Sequence, residues 1–295
     1  MKKKTKNENL DQMKSRISGA FKRMAKNVWL SADLRAFLKE NAPLLGLTGQ
    51  ITTLDLIEFL SQKKIVTEET IVMPLGKEVT RYITETGNVY ELALTLKRHA
   101  YLCHYTAMFL HGLTDNIPKT IYSNTELKPS NNYNSNELKQ DAIDRAFANN
   151  MRQSNQIAKY KNLEIYLLNS KSVDQVGVKD FDFNGVKLRV TDIERTLIDI
   201  TVRPNYAGGT EEVLNAYKAA KNKVSVNRLL ATLKKLDYTY PYHQSIGFYL
   251  ERAGYDESVL DLIEKIEIKY NFYLTYKIKD KDYSARWKLF FPRGL

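Results

Sequence analysis

Most residues of this 295-residue chain that could do chemistry lie in its second half. His104 and His111 are seven apart, with Tyr105 between them. On a helix the two imidazoles share a face but stand two turns apart, about 10.5 Å at 1.5 Å per residue. That is too far for one metal ion, so both read as partly buried structural histidines. Glu194, Arg195 and Asp199 fall within two helical turns, and the i,i+4 spacing of Arg195 and Asp199 suits an ion pair. Arg203-Pro204 followed by Gly208-Gly209 marks a helix exit and a turn. His243 and Gln244 follow Pro241 at the start of another helix, whose N-terminus could hold an anion. His243 is the best candidate for a functional histidine.

Two enzyme patterns need weighing. Glu267-Ile268-Lys269, with Asp256 or Asp261 upstream, has the Glu-x-Lys form of metal-dependent nucleases. There, carboxylates hold Mg²⁺ and the lysine supports the nucleophile, provided the triplet lies on a strand. The pattern is short and arises by chance in a Lys- and Glu-rich chain. Asp180 and Asp182 have the Asp-x-Asp spacing of a nucleotidyltransferase, but no Gly-Ser turn precedes them, so they read as hairpin surface. No phosphate-binding glycine loop, zinc spacing or nucleophile elbow occurs. The expectation is a non-enzyme without catalytic residues, bound metal or cofactor.

The elements that carry these residues follow from periodicity. Residues 11–26 form a helix with Met13, Ile17, Phe21 and Met24 on one face. A second helix covers 31–41 with Leu34, Phe37 and Leu38 inward, and Pro43 ends it. After a Gly46/Gly49 turn, a third helix starts at Thr52, capped with Asp55, and buries Leu56, Phe59 and Leu60. Strand runs at 70–73 and 79–84 flank a turn at Pro74, Gly76 and Lys77. Three helices and a hairpin make a winged helix-turn-helix with Lys77 at the wing tip.

Beyond residue 85 the pattern is mixed. Short helices are expected at 90–96 and 104–110, a strand at 120–123, and an exposed Asn/Ser-rich loop over 129–140. A helix at about 138–152 precedes strands at 157–160 and 164–168. Asn184-Gly185 signals a hairpin between 178–183 and 186–190. Thr191 with Glu194 reads as a capping box opening a helix that buries Ile193, Leu197 and Ile200. Ser225 caps a helix with a stripe of Val226, Leu229, Leu230, Leu233 and Leu236. Strand character returns at 272–277 and 287–291. The expected fold class is α+β: a basic N-terminal arm and helix over 1–27, a winged helix-turn-helix over 28–85, and a larger mixed α/β domain over 86–295.

Charge is distributed unevenly. The chain carries a net +11. Residues 1–30 hold Lys2, Lys3, Lys4, Lys6, Lys14, Arg16, Lys22, Arg23 and Lys26 against Glu8 and Asp11, a net +7. Residues 31–100 are close to neutral. A basic arm on a near-neutral module fits a polyanion such as DNA. On this reading Lys22, Arg23, Thr52, Thr53, Lys63, Lys64, Lys77 and Arg81 are the candidate DNA contacts. The chain has one cysteine, Cys103, no apolar run of transmembrane length, and no apolar segment after its basic start. A reducing cytoplasmic setting is therefore expected, with no disulfide, membrane partner or signal peptide.

Three blocks carry a family likeness. Residues 101–122 read YLCHYTAMFLHGLTDNIPKTIY, residues 191–209 read TDIERTLIDITVRPNYAGG, and residues 240–255 read YPYHQSIGFYLERAGY. In order and spacing they resemble the AbiEi family, antitoxins of type IV toxin–antitoxin systems and predicted transcriptional regulators of viral defence. The likeness covers about residues 28–295. It implies an N-terminal winged helix that binds inverted repeats in its own promoter. It also implies a C-terminal domain that opposes a nucleotidyltransferase-like toxin, without requiring a stable complex. Tyr105, His111, Glu194, Arg195, Asp199, Arg203, His243 and Gln244 are the motif residues it singles out. A winged helix that binds protein rather than DNA is the competing non-enzyme reading.

Overall fold

The computed structural model describes residues 6–47, 50–127 and 137–295. Lys2, Lys3 and Lys4, Gly49, and most of the Asn/Ser-rich loop lie outside the described residues. The chain is α+β. It runs α1 (Lys6–Gln12), α2 (Lys14–Arg23), β1 (Val28–Trp29), α3 (Ser31–Leu45), α4 (Thr53–Gln62), β2 (Thr67–Val72), β3 (Glu78–Ile83) and α5 (Val89–Leu94). Next come β4 (Tyr101–Leu102), α6 (His104–Leu110), β5 (Thr120–Leu127), α7 (Gln140–Ala148), β6 (Ile157–Tyr160), β7 (Leu163–Lys171), β8 (Val178–Phe183) and β9 (Val186–Thr191). The remainder is α8 (Ile193–Val202), α9 (Thr210–Ala220), α10 (Val226–Leu236), α11 (Tyr242–Arg252), α12 (Glu257–Glu264), β10 (Phe272–Tyr273), β11 (Lys281–Ser284) and β12 (Leu289–Pro292).

Contacts divide the chain into two units. The first comprises residues 1–98 with 157–165 and 181–188; the second comprises 99–156, 166–180 and 189–295. In the first, strands lie in the order β1-β3-β2-β6. β2 and β3 form an antiparallel hairpin from Thr67 opposite Ile83 to Val72 opposite Glu78, and Val28 and Trp29 add to the outer side of β3. The turn between them is a 3-10 segment, Pro74–Gly76, with Leu75 in the left-handed region at φ 67°.

Residues 11–26 do not form one helix, and the described part of 1–27 is not a loose arm. The helix breaks at Met13 (φ −93°, ψ 1°), so that α1 lies against α4 while α2 turns inward. Leu10, Ile17, Ala20 and Phe21 are buried in one cluster with Trp29, Leu34 and Phe37. The Phe21 ring centroid is 4.7 Å from Trp29 and 4.6 Å from Phe37. Met24, expected on the apolar face, is exposed. α3 also runs past the expected stop at Pro43, to Leu45. Pro43 has no N–H to give the carbonyl one turn back, that of Lys39, which is an exposed residue. Gly46 at φ 69° ends the helix instead, as a left-handed C-cap.

The second unit is built around α8. Every residue of α8 from Glu194 to Val202 is buried, as expected of a helix packed on all sides. Helices α6, α9, α10 and α11 pack against it. Its strands run β7-β5-β4-β9-β8, with β4 antiparallel to β5 and parallel to β9. Thr191 is the last residue of β9 and does not cap α8. The cap is Asp192, whose Oδ1 accepts the Arg195 N–H at 2.9 Å. A second small sheet, β10-β12-β11, closes the C-terminal part. β11 lies in a stretch where no strand was expected from the sequence.

Candidate functional site

The first candidate surface is in the N-terminal unit, around α4. Thr52 caps α4 in a full capping box: its Oγ1 accepts the Asp55 N–H at 3.2 Å, and Asp55 Oδ2 accepts the Thr52 N–H at 2.7 Å. Lys6 adds a 2.8 Å bond to the same carboxylate. These donors, Lys6 first and then Thr52, hold the Asp55 carboxyl down at about 2. Lys63 is occupied as well, by Asp11 at 2.5 Å and by the Phe59 ring at 5.8 Å.

Of the expected DNA contacts, Lys22, Arg23, Lys64 and Lys77 are exposed and Thr53 is half-buried. Arg81 is not a surface residue. It is 8% exposed, and its guanidinium donates to Thr95 Oγ1 (2.8 Å), Thr95 O (2.9 Å) and Thr80 O (2.7 Å). Those bonds fasten β3 to the end of α5, which is why its charge is unavailable to a ligand. Sequence reasoning missed Leu54. It is 75% exposed in the first turn of α4, off the stripe formed by Leu56, Phe59 and Leu60. That offset was readable from the sequence.

Five motif residues of the second unit, Tyr105, His111, Glu194, His243 and Gln244, do not converge on one point. His111 Nε2 lies 2.6 Å from the Thr191 carbonyl and ties the end of α6 to the end of β9. Burial lowers its pKa. The Tyr105 hydroxyl donates to Glu212 Oε1 at 3.3 Å, beside Thr114 Oγ1 at 2.6 Å. Glu194 is buried, and its Oε1 accepts from Arg228 (2.7 Å) and the Ser225 N–H (2.9 Å), linking α8 to the start of α10. Gln244 is fully buried and donates to the carbonyls of Trp287 (2.6 Å) and Tyr270 (2.9 Å). His243 Nε2 faces the Glu267 carbonyl at 3.2 Å, and burial lowers its pKa. These side chains clip segments together.

The nuclease triplet lacks the context it needs. Residues 267–269 are irregular backbone rather than strand, and Lys269 is paired with Glu137 at 2.9 Å. Asp180 pairs with Arg189 at 3.2 Å, and Asp182 accepts the Gly185 N–H of the hairpin turn at 3.0 Å. Among the described residues, no group of three or more His, Cys, Asp or Glu could hold a metal ion.

Arg195, Asp199 and Arg203 do come together, at a cavity of about 450 Å³. Arg195 Nε donates to Asp199 Oδ1 at 2.7 Å, with both side chains nearly fully buried, and its Nη1 donates to the Val176 carbonyl at 2.8 Å. Gly177 makes room for this arginine: a Cβ there would lie 2.6 Å from Arg195 Cβ. Burial opposes the Arg195 charge, and the Asp199 carboxylate more than offsets it, so its pKa is held above the usual range. The cavity is also lined by Cys103, His104, Arg152, Lys171, Tyr206 and Tyr238, contributed by separate segments. Apart from the adjacent Cys103 and His104, no spacing in the sequence links these residues.

Two lining groups are chemically quiet. Burial raises the Cys103 thiol well above its ordinary value, which removes the thiolate needed for attack. Burial lowers His104 to about 4. His104 also sits at φ 51°, in the left-handed region, with Nδ1 3.1 Å from Cys103 Sγ. A neutral buried imidazole has a stability consequence. Between about 4 and its ordinary 6.5, the unfolded chain binds a proton that the fold does not. Stability is therefore expected to fall as pH drops through that window. His104→Asn, which tolerates the left-handed backbone, should flatten the slope. Urea unfolding of both proteins from pH 7 to pH 4.5 tests this; identical slopes would sink it.

Comparison with known proteins adds the fold. No family model matches the chain. No curated protein matches it either. Among solved structures, the chain is similar to one described as the crystal structure of the RV2827C protein from Mycobacterium tuberculosis. The two are 14% identical with a TM-score of 0.58, over 95% of this chain and 91% of that one. No described helix is long and apolar enough to cross a membrane.

Proposed function

We propose that the protein is a DNA-binding transcriptional regulator of the AbiEi antitoxin type, with a winged helix-turn-helix in its N-terminal unit. The reading is carried by the element order α2-β1-α3-α4-β2-β3, in which the short strand between the first two of these helices pairs with the outer strand of the hairpin. In a winged helix that order makes α4 the helix that enters the major groove and the β2–β3 turn the wing. The cations Lys22, Arg23, Lys64 and Lys77 are then the phosphate contacts. Thr53 and Leu54 are the base-edge candidates, Leu54 through apolar contact with a thymine methyl. Thr52, Lys63 and Arg81 have structural duties instead. The second unit, which holds the three blocks that resemble AbiEi, is the part assigned to opposing a nucleotidyltransferase-like toxin.

Gel shifts on the protein's own upstream DNA across a salt series test the reading. Replacing Lys22, Arg23, Lys64 and Lys77 by Gln should flatten the log affinity–log salt slope by about 0.9 for each phosphate no longer neutralised, and equally on random DNA. Thr53→Ala with Leu54→Ala should weaken operator binding only. These positions avoid the core packing of α1 and α2 that a deletion of residues 1–26 would destroy. Absence of any shift, or an unchanged salt slope, would leave the unit as a protein-binding module. Co-expression with the toxin adds a second arm: growth should be rescued by the full chain with the four Gln substitutions.

A further inference from the structure

The cavity beside α8 is lined by two arginines that no structural contact accounts for. Its lining carries four cations, Arg152, Lys171, Arg195 and Arg203, against one carboxylate, Asp199. Asp199 is already taken by Arg195. Lys171 is paired with Asp237 at 3.3 Å. Neither Arg152 nor Arg203 makes a side-chain hydrogen bond or ion pair among the described residues. Arg203 sits where α8 ends, next to the buried Pro204, and lines the cavity. Two unpartnered guanidinium groups lining one cavity leave it with positive charge that an anion would neutralise. Their planar forks suit phosphate oxygens better than a point charge would.

The rest of the wall is mostly polar, with Asn124, Gln153, Asn169 and Ser170, and it includes two tyrosines. Tyr206 packs edge-on against His104 at 5.4 Å and tilted against Tyr122 at 5.3 Å, and its hydroxyl accepts the Ser154 N–H at 2.7 Å. It is therefore rigid. Tyr238 also lines the cavity and is braced edge-on by Tyr242 at 5.4 Å. A volume of about 450 Å³ lies within the range of small-molecule sites.

We propose that this cavity binds a phosphorylated small molecule of nucleotide size. Arg152 and Arg203 take the phosphate, and Tyr206 and Tyr238 pack against the organic part. The site is independent of the DNA reading, because every lining residue belongs to the second unit.

Isothermal titration of the full chain at low salt tests it, with 5′-AMP, 5′-GMP, adenosine and inorganic phosphate as probes. At least one nucleotide should bind, inorganic phosphate at least about tenfold more weakly, and adenosine not measurably. Arg203→Gln and Arg152→Gln should each weaken nucleotide binding about tenfold or more, as expected when a charge-assisted bond is removed. Arg203→Lys should recover part of the loss. Arg293→Gln, which removes a cation paired with Asp282 at the C-terminus, should change nothing. Thermal unfolding of each variant reports on folding. If Arg203→Gln does not fold, Arg152→Gln, at an exposed position, carries the test. Failure of both nucleotides to bind overturns the proposal. So does equal affinity for nucleotide and inorganic phosphate, or full affinity in Arg152→Gln.

Discussion

Asp199→Ala is expected to destabilise the second unit by about 3–5 kcal/mol, the cost of leaving one member of a buried ion pair alone. The arginine it would strand is 4% exposed and lies within a helix that is buried all round. Its remaining bond, to the Val176 carbonyl, does not neutralise a charge. Asp199→Asn should cost less, because its amide oxygen can still accept from Arg195 Nε. Replacing both residues by apolar ones should cost less than the sum of the single changes, since it removes the stranded charge. Denaturant unfolding followed by tryptophan fluorescence reads the effect. Trp287 reports on this unit and Trp29 on the other. A loss no larger than that of Asp180→Ala, whose ion pair is exposed, would show that the buried pair does not matter to the fold.

The second large effect is expected at Trp287, a fully buried indole packed directly on the backbone of α11. A Cβ on Gly247 would lie 2.4 Å from Trp287 Cζ3 and 2.6 Å from Cε3. The indole is pinned, since its Nε1 donates to Glu251 Oε2 at 2.8 Å, so it cannot simply slide away. In an open helix Gly→Ala gains about 1 kcal/mol. Here the overlap should outweigh that gain, and Gly247→Ala should lose about 1–3 kcal/mol. Trp287→Ala should lose about 3–5 kcal/mol through the cavity it leaves. In the Trp287→Ala background the added methyl has room, so Gly247→Ala should become neutral or stabilising. Equal effects of Gly247→Ala in both backgrounds would refute the packing of the indole on this glycine.

What could be read from the sequence was what neighbours along the chain decide. The Thr52–Asp55 cap, the Ser225 cap, the Asn184-Gly185 turn and the Arg195–Asp199 pair each depend on residues within four positions. Helical and strand periods place such groups side by side whatever the rest of the chain does. The apolar stripes of α4 and α10 were legible for the same reason. Boundaries failed where a nearby residue competed for the role. Asp192 took the cap of α8 from Thr191, and Gly46 rather than Pro43 ended α3.

The tertiary structure decided which polar groups are spent on the fold. A strand pattern does not say that Arg81 will meet Thr95, fourteen residues on, and leave the surface. Nor does charge content reveal that Lys6 and Lys63 are paired with Asp55 and Asp11, and so withdrawn from the basic face. Gly247 looks like an ordinary weak spot in a helix until Trp287, forty residues away, is placed on it. The same holds for Arg152 and Arg203, which stand fifty-one residues apart and line one cavity. Burial and long-range pairing depend on how separate segments pack. Side-chain spacing along the chain finds partners within a helical turn, as for Arg195 and Asp199, and says nothing of those brought in from distant segments.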